Sequence, residues 1–160
     1  MSLRSSASHC SYLLILAGNL GLGTDLRPVP DAEAQEVVST IQDRFGAVAP
    51  LAWWQTEKPC LLPRVARPLP DGLGYQHLPS IVPDPQEPVW FVTEDWTRKR
   101  TEWCLFESHG AAIQELVEEC YGCEYLIVSK ELEWLVGETD NDVLFAVGEP
   151  VVERLRKVNR

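Results

Sequence analysis

The chain has 160 residues, of which 45% are hydrophobic and 24% charged, so it is long enough to bury one hydrophobic core. Its 24 acidic residues against 14 basic ones give a formal net charge of -10. This charge argues against proteins that bind nucleic acid or anionic membranes, because both classes need a cationic surface. We therefore expect a single domain over residues 1–160 and a basic protein partner.

The N-terminal segment and the cysteines bear on the cellular compartment. Residues 12–17 form an apolar run that is too short for a signal peptide or a membrane span, so we interpret it as a buried strand or a frayed helix. Five cysteines are an odd number and are sparse for a disulfide framework. They predict reduced thiols in a cytoplasmic protein.

The next elements in chain order are a helix and a long connection. Acidic residues at its start, apolar positions at helical spacing and Gly46 at its end predict a helix over residues 30–46, with Asp31 as the N-cap. Residues 59–88 hold eight of the 12 prolines, which excludes a regular helix or a central strand. The many apolar residues there indicate an ordered connection laid across the core.

The second half of the chain is rich in strand signals. A hairpin with a charged tip is predicted at 89–106, a helix capped by Ser108 at 109–121, and a final helix opened by Pro150. Three further strands are predicted at 124–129, 132–136 and 143–147. The sequence thus predicts an α+β domain with about five largely antiparallel strands packed with two or three helices.

The cysteines also suggest one alternative function. Cys120 and Cys123 form a Cys-x-x-Cys motif, but at the C-terminal end of a helix and beside glutamates, where a thiolate is disfavoured. A small zinc-binding or thiol-containing enzyme would have to use Cys104, His109, Cys120 and Cys123. No motif in the sequence identifies a catalytic residue or a cofactor, so we do not expect an enzyme.

The negative charge is concentrated in one third of the chain. Residues 101–149 contain twelve acidic residues and a single lysine. Glu115, Glu118 and Glu119 repel one another at helical spacing, and this local cost favours a function in binding. The residues predicted to contact a basic partner are Glu115, Glu118, Glu119, Glu131, Glu133, Trp134, Glu138, Asp140 and Asp142, with Trp103 as another aromatic anchor. A solvated face of a structural or regulatory subunit is the alternative.

A short pattern adds a family resemblance. The stretch Glu133-Trp134-Leu135-Val136-Gly137-Glu138, followed by Asp142-Val143-Leu144, resembles a family of small, uncharacterised, acidic bacterial proteins similar to immunity proteins of polymorphic toxin systems. The resemblance covers residues 89–160. The turn in that family is often rich in Asn and His, whereas residues 139–142 lack histidine, so no role of a turn imidazole carries over. The resemblance implies a protein that binds and neutralises a toxin domain.

Overall fold

The computed structural model describes residues 8–46, 50–54, 56–69, 73–95, 102–120 and 123–158. In these ranges the α-helices are His9–Asn19 (α1), Asp31–Phe45 (α2), Leu78–Ile81 (α3), Gly110–Glu119 (α4) and Glu149–Arg156 (α5). The strands are Arg27–Pro28 (β1), Arg64–Pro68 (β2), Pro88–Asp95 (β3), Glu102–His109 (β4), Tyr125–Ser129 (β5), Leu135–Glu138 (β6) and Val143–Val147 (β7). Most of the predicted hairpin tip, at 96–101, lies outside the described residues.

The strands form one antiparallel sheet in the order β1-β4-β3-β5-β6-β7-β2. The predicted α+β class is confirmed, whereas about five strands and two or three helices were too few for the described chain. The two extra strands lie at the sheet edges. β2 lies inside the proline-rich connection, where it ends at Pro68 and pairs only with β7. An edge position tolerates proline because one side of the strand makes no ladder hydrogen bonds.

Both faces of the sheet are covered. On one face, Phe91, Tyr125 and Ile127 belong to a core that also includes buried residues of α1, α3, α4 and α5. On the other face, Val92 and Leu126 pack in a second core with residues of α2 and with two tryptophans, Trp53 and Trp54. All five residues of β5 are buried, so a strand that is apolar on both faces takes a central place, as its sequence predicts.

Three local predictions differ from the structure. The run at 12–17 is part of the regular helix α1, which buries Leu13 and Ala17. His109, and not Ser108, caps α4, because its Nδ1 accepts a hydrogen bond from the backbone N–H of Ala112 at 3.3 Å. Likewise, Pro30 rather than Asp31 occupies the N-cap position of α2.

One of the predicted strands is displaced along the chain. We predicted a strand at 132–136, but Leu132 has a φ of 55° and belongs to a turn. The Ser129 hydroxyl accepts hydrogen bonds from the backbone N–H groups of Glu133 and Trp134 at 2.8 and 3.2 Å and holds this turn. The strand β6 therefore runs from Leu135 to Glu138. No helix among the described residues is long and apolar enough to cross a membrane.

Candidate functional site

Three carboxylates from separate parts of the chain meet where β3 ends and β5 begins. Glu94 is the penultimate residue of β3, Glu124 directly precedes β5, and Asp140 lies in the turn between β6 and β7. The pairing of β3 with β5 and of β5 with β6 brings them together. The Asp140 backbone N–H donates a hydrogen bond to Glu124 Oε1 at 3.2 Å. We call Glu94, Glu124 and Asp140 the acidic end of the sheet.

The three carboxylates at the acidic end repel one another. Partial burial, and then the charge of Asp140, raise the pKa of the Glu94 carboxyl. Burial is also the main reason for the raised pKa of Glu124, and the charges of Asp140 and Glu94 add to it, against the opposing hydrogen bond from the Asp140 backbone. None of the three forms an ion pair with a basic side chain of the described residues. Folding thus concentrates negative charge here at an energetic cost.

The predicted glutamates of α4 lie on the surface. Glu115, Glu118 and Glu119 are all exposed. The helix ends at Glu119, and β5 begins only a few residues later, at Tyr125. Glu118 and Glu119 therefore lie toward the same end of the sheet as the acidic end, whereas Glu115 lies about one turn farther back.

Two of the predicted contact residues are wrong, because both are buried. Trp134 is 3% exposed and belongs to the core that also includes residues of α1, α3, α4 and α5, so it is not available as a surface anchor. Glu138 is 7% exposed, and its Oε2 accepts a hydrogen bond from the Tyr125 hydroxyl at 2.8 Å. The displacement of β6 explains the error at Glu138, because it moves this residue from a predicted turn into a strand.

The remaining predicted residues do not share one surface. Glu131 and Glu133 are exposed in the turn between β5 and β6, whereas Asp140 is exposed and Asp142 half-buried in the turn that follows β6. The length of β6 separates the two turns by at least about 10 Å. Of these four residues, Asp140 belongs to the acidic end, and only Asp142 lies in the same turn.

The prediction missed Glu94 and Glu124 as site residues. Each is placed by strand register, which a single sequence does not specify. One signal was present, since Glu124 begins a predicted strand and Glu94 directly follows another. Trp103 was named as a possible anchor, and it is half-buried and directly opposite Glu94 in the pairing of β3 with β4.

Four of the five cysteines meet near the start of α1. Cys10 is joined to Cys104, and Cys120 to Cys123, by disulfide bonds, whereas Cys60 is free. The prediction that the thiols are reduced is therefore wrong for these four residues. The sequence could not reveal the first bond, because its partners are 94 positions apart and meet only through the packing of α1 on the sheet.

A histidine does lie beside the cysteines, but it is not the predicted one. His109 stands at the opposite end of α4 from Cys120, and its Nε2 lies 3.3 Å from Asp25. His9 occupies the place that the alternative zinc-binding function would have given to His109, with its Nε2 4.0 Å from Cys123 Sγ and 3.3 Å from the Thr93 hydroxyl. Burial lowers the pKa of the His9 imidazole, and the charge of Asp95 opposes this shift.

Comparison with known proteins places the chain in a family. The model of a family of unknown function, DUF6756, matches residues 18–159. The chain belongs to the DUF6756 family. No curated protein matches it, and no solved structure matches it.

The match to DUF6756 covers all of the acidic end but only part of the cluster of cysteines and histidine. The acidic end and Trp103 lie entirely within the part that matches the family. Cys104, Cys120 and Cys123 also lie within it, whereas His9 and Cys10 precede the match. The cluster of cysteines and histidine is thus completed by a part of α1 that the DUF6756 model does not cover.

Proposed function

We propose that this protein binds and neutralises a basic protein partner, and that the acidic end of the sheet is the centre of the contact. The observation that carries the proposal is the grouping of Glu94, Glu124 and Asp140 without a basic partner among the described residues. Some acidic residues elsewhere on the fold do have a basic partner. Glu107, for example, pairs with Arg27 at 2.5 Å and with Lys130 at 3.2 Å.

The arrangement suits a cationic ligand for two physical reasons. Clustered carboxylates steer a basic protein during its approach and increase the association rate at low salt. A lysine or arginine of the partner also relieves the repulsion between the carboxylates. This favourable electrostatic energy is present only in the complex. Trp103 offers an apolar surface next to Glu94 on the face of the sheet that α2 covers. Glu118 and Glu119 add negative charge at the same end of the sheet, but from α4 on the other face.

The most concrete form of this proposal is a cytoplasmic immunity protein of a bacterial toxin system. The acidity of the chain and the resemblance over residues 89–160 support it. Such a protein would block a cationic cleft by placing carboxylates where the phosphates of a toxin substrate would bind. The proposal involves neither nucleic acid nor membrane as a partner. If the acidic face only keeps a structural subunit soluble, the experiment below gives no binding.

The test is direct binding to the product of the neighbouring reading frame. A large secreted protein with a basic C-terminal domain is expected there, and that domain is the ligand to purify. We expect a complex whose association slows steeply as salt is raised from 50 to 300 mM. At about 0.1 M salt, charges more than about 10 Å apart are largely screened from each other, so the carboxylates no longer attract the partner from a distance. If the protein forms no complex with the product of any neighbouring reading frame, the proposal that it is an immunity protein is wrong.

Matched variants locate the contact. Glu124→Gln with Asp140→Asn removes two charges at the acidic end, and Glu131→Gln with Glu133→Gln removes two at the far turn. We expect the first pair to slow association about tenfold, equivalent to about 1.4 kcal/mol, and the second pair to change it less than about twofold. Equal effects of the two pairs would mean that only overall charge matters.

The helix glutamates are tested separately. Replacing Glu115, Glu118 and Glu119 by Gln removes like-charged pairs, so the isolated protein should be equally or more stable. Association with the basic partner should nevertheless be slower. Binding that is unchanged by these three substitutions would exclude α4 from the interface.

A further inference from the structure

Three buried side chains at the junction of α1, α4 and β5 have the donor atoms of a metal site. His9, Cys120 and Cys123 each offer one ligand atom, and these atoms lie within 4.8 Å of one another. The three residues are 3%, 4% and 8% exposed. His9 Nε2 lies 4.0 Å from Cys123 Sγ, and the Cα atoms of the two cysteines are 6.0 Å apart.

We propose that His9, Cys120 and Cys123 bind one zinc ion when the disulfide between the two cysteines is reduced. Zinc bonds of about 2.3 Å to sulfur and 2.0–2.1 Å to nitrogen place tetrahedral ligand atoms about 3.4–3.8 Å apart. The observed spacing of histidine and cysteine is close to this value. Sulfur and imidazole ligands favour zinc over magnesium or calcium, which bind oxygen.

The surroundings favour a cation at this point. Cys120 directly follows α4, and the C-terminal end of a helix carries a partial negative charge. The same field disfavours a free thiolate and so favours a thiolate that is neutralised by a metal. The Asp95 carboxylate accepts a hydrogen bond from the backbone N–H of His9 at 3.3 Å. The negative charge of this carboxylate also favours a cation beside His9.

The redox state decides whether the site can form. In the oxidised protein the two sulfur atoms are bonded to each other and cannot act as separate thiolate ligands. A trialkylphosphine reductant supplies two electrons, takes up oxygen from water as phosphine oxide, and leaves two thiols. The ion then displaces one proton from each thiol, so zinc binding releases two protons. Binding is therefore expected only after reduction.

The test uses the full chain without any partner, so its outcome is independent of the proposed docking function. Cobalt(II) is titrated under anaerobic conditions into oxidised and phosphine-reduced protein. We expect a thiolate-to-cobalt charge-transfer band that saturates at one equivalent in the reduced protein and disappears when zinc is added. The oxidised protein should bind at least about 100-fold more weakly. Absence of the band after reduction would overturn the proposal.

Variants and chemical protection identify the ligands. His9→Ala and Cys120→Ser should each weaken cobalt binding at least about 100-fold, whereas Cys60→Ser and His77→Ala should leave it unchanged. Because a ligand variant can unfold, the wild-type protein is also alkylated with and without zinc. Zinc should protect Cys120 and Cys123 but not Cys60. Protection of Cys10 and Cys104 instead would assign the metal to the neighbouring pair and refute the proposed site.

Discussion

The Tyr125 hydroxyl donates a 2.8 Å hydrogen bond to the Glu138 carboxylate across the neighbouring strands β5 and β6. Both side chains are buried, and a Cβ atom on Gly74 would come within 2.5 Å of Glu138 Oε1. The carboxylate is therefore enclosed by the fold and serves its stability. This position explains how a residue in an acidic segment can lie outside the proposed docking surface.

Replacing Tyr125 by Phe removes this hydrogen bond from a buried carboxylate. We expect the free energy of unfolding at pH 7 to fall by about 1.5–3 kcal/mol, the contribution of a hydrogen bond to a charged group. Urea denaturation followed by tryptophan fluorescence measures it. A loss below about 0.5 kcal/mol would show that the bond contributes little to stability.

The same pair predicts how stability changes at alkaline pH. Complete burial, followed by the charge of Glu138 and its hydrogen bond, raises the pKa of Tyr125 well above its ordinary value of 10.0. The unfolded tyrosine ionises near 10 while the folded one stays neutral, so wild-type stability falls as the pH rises above about 10. Tyr125→Phe has no phenol to ionise, so its stability does not fall for this reason. The difference in unfolding free energy between wild type and Tyr125→Phe should therefore shrink between pH 9 and 11. A constant difference across that range would contradict the pKa shift.

Gly137 is required by close packing in β6. A Cβ atom there would lie 2.3 Å from Phe145 Cζ and 2.7 Å from the backbone oxygen of Tyr125. Gly137→Ala should therefore cost about 1–3 kcal/mol of unfolding free energy. Gly18→Ala is the control, because nothing lies within 4 Å of its added Cβ, and alanine is a better helix former. Similar thermal midpoints for the two variants would refute this account.

The disulfide between Cys10 and Cys104 fixes α1 to the sheet. Because it closes a loop of more than ninety residues, Cys10→Ser should lower the unfolding free energy by about 2–4 kcal/mol without reductant. Reduced wild type and reduced variant should then be equally stable, and Cys60→Ser should match wild type throughout. Denaturation midpoints with and without reductant check this expectation. A variant as stable as oxidised wild type would show that packing alone holds α1.

The sequence predicts what depends on local pattern. Helix α2, the two-sided burial of β5 and the antiparallel α+β class follow from periodicity and short connections. Position along β6 does not, since an unusual φ at Leu132 shifts that strand and with it Trp134 and Glu138. The sequence also did not predict contacts between segments that are far apart along the chain. The disulfide of Cys10 and the approach of His9 to Cys123 both depend on how α1 packs.

Neutralising Glu124 should stabilise the isolated protein. Its folded pKa is raised, so the carboxyl favours the folded state below its unfolded pKa and loses that contribution as the pH rises through the folded value. At pH 7 Glu124→Gln should gain about 0.2–1 kcal/mol, the scale of partly exposed charge interactions, and the gain should vanish near pH 4 and shrink in high salt. The amide oxygen of Gln keeps the acceptor for the Asp140 backbone. Glu131→Gln, which removes an exposed charge at the far turn, serves as the matched control. A gain that persists at pH 4 would mean that packing, and not charge, is responsible.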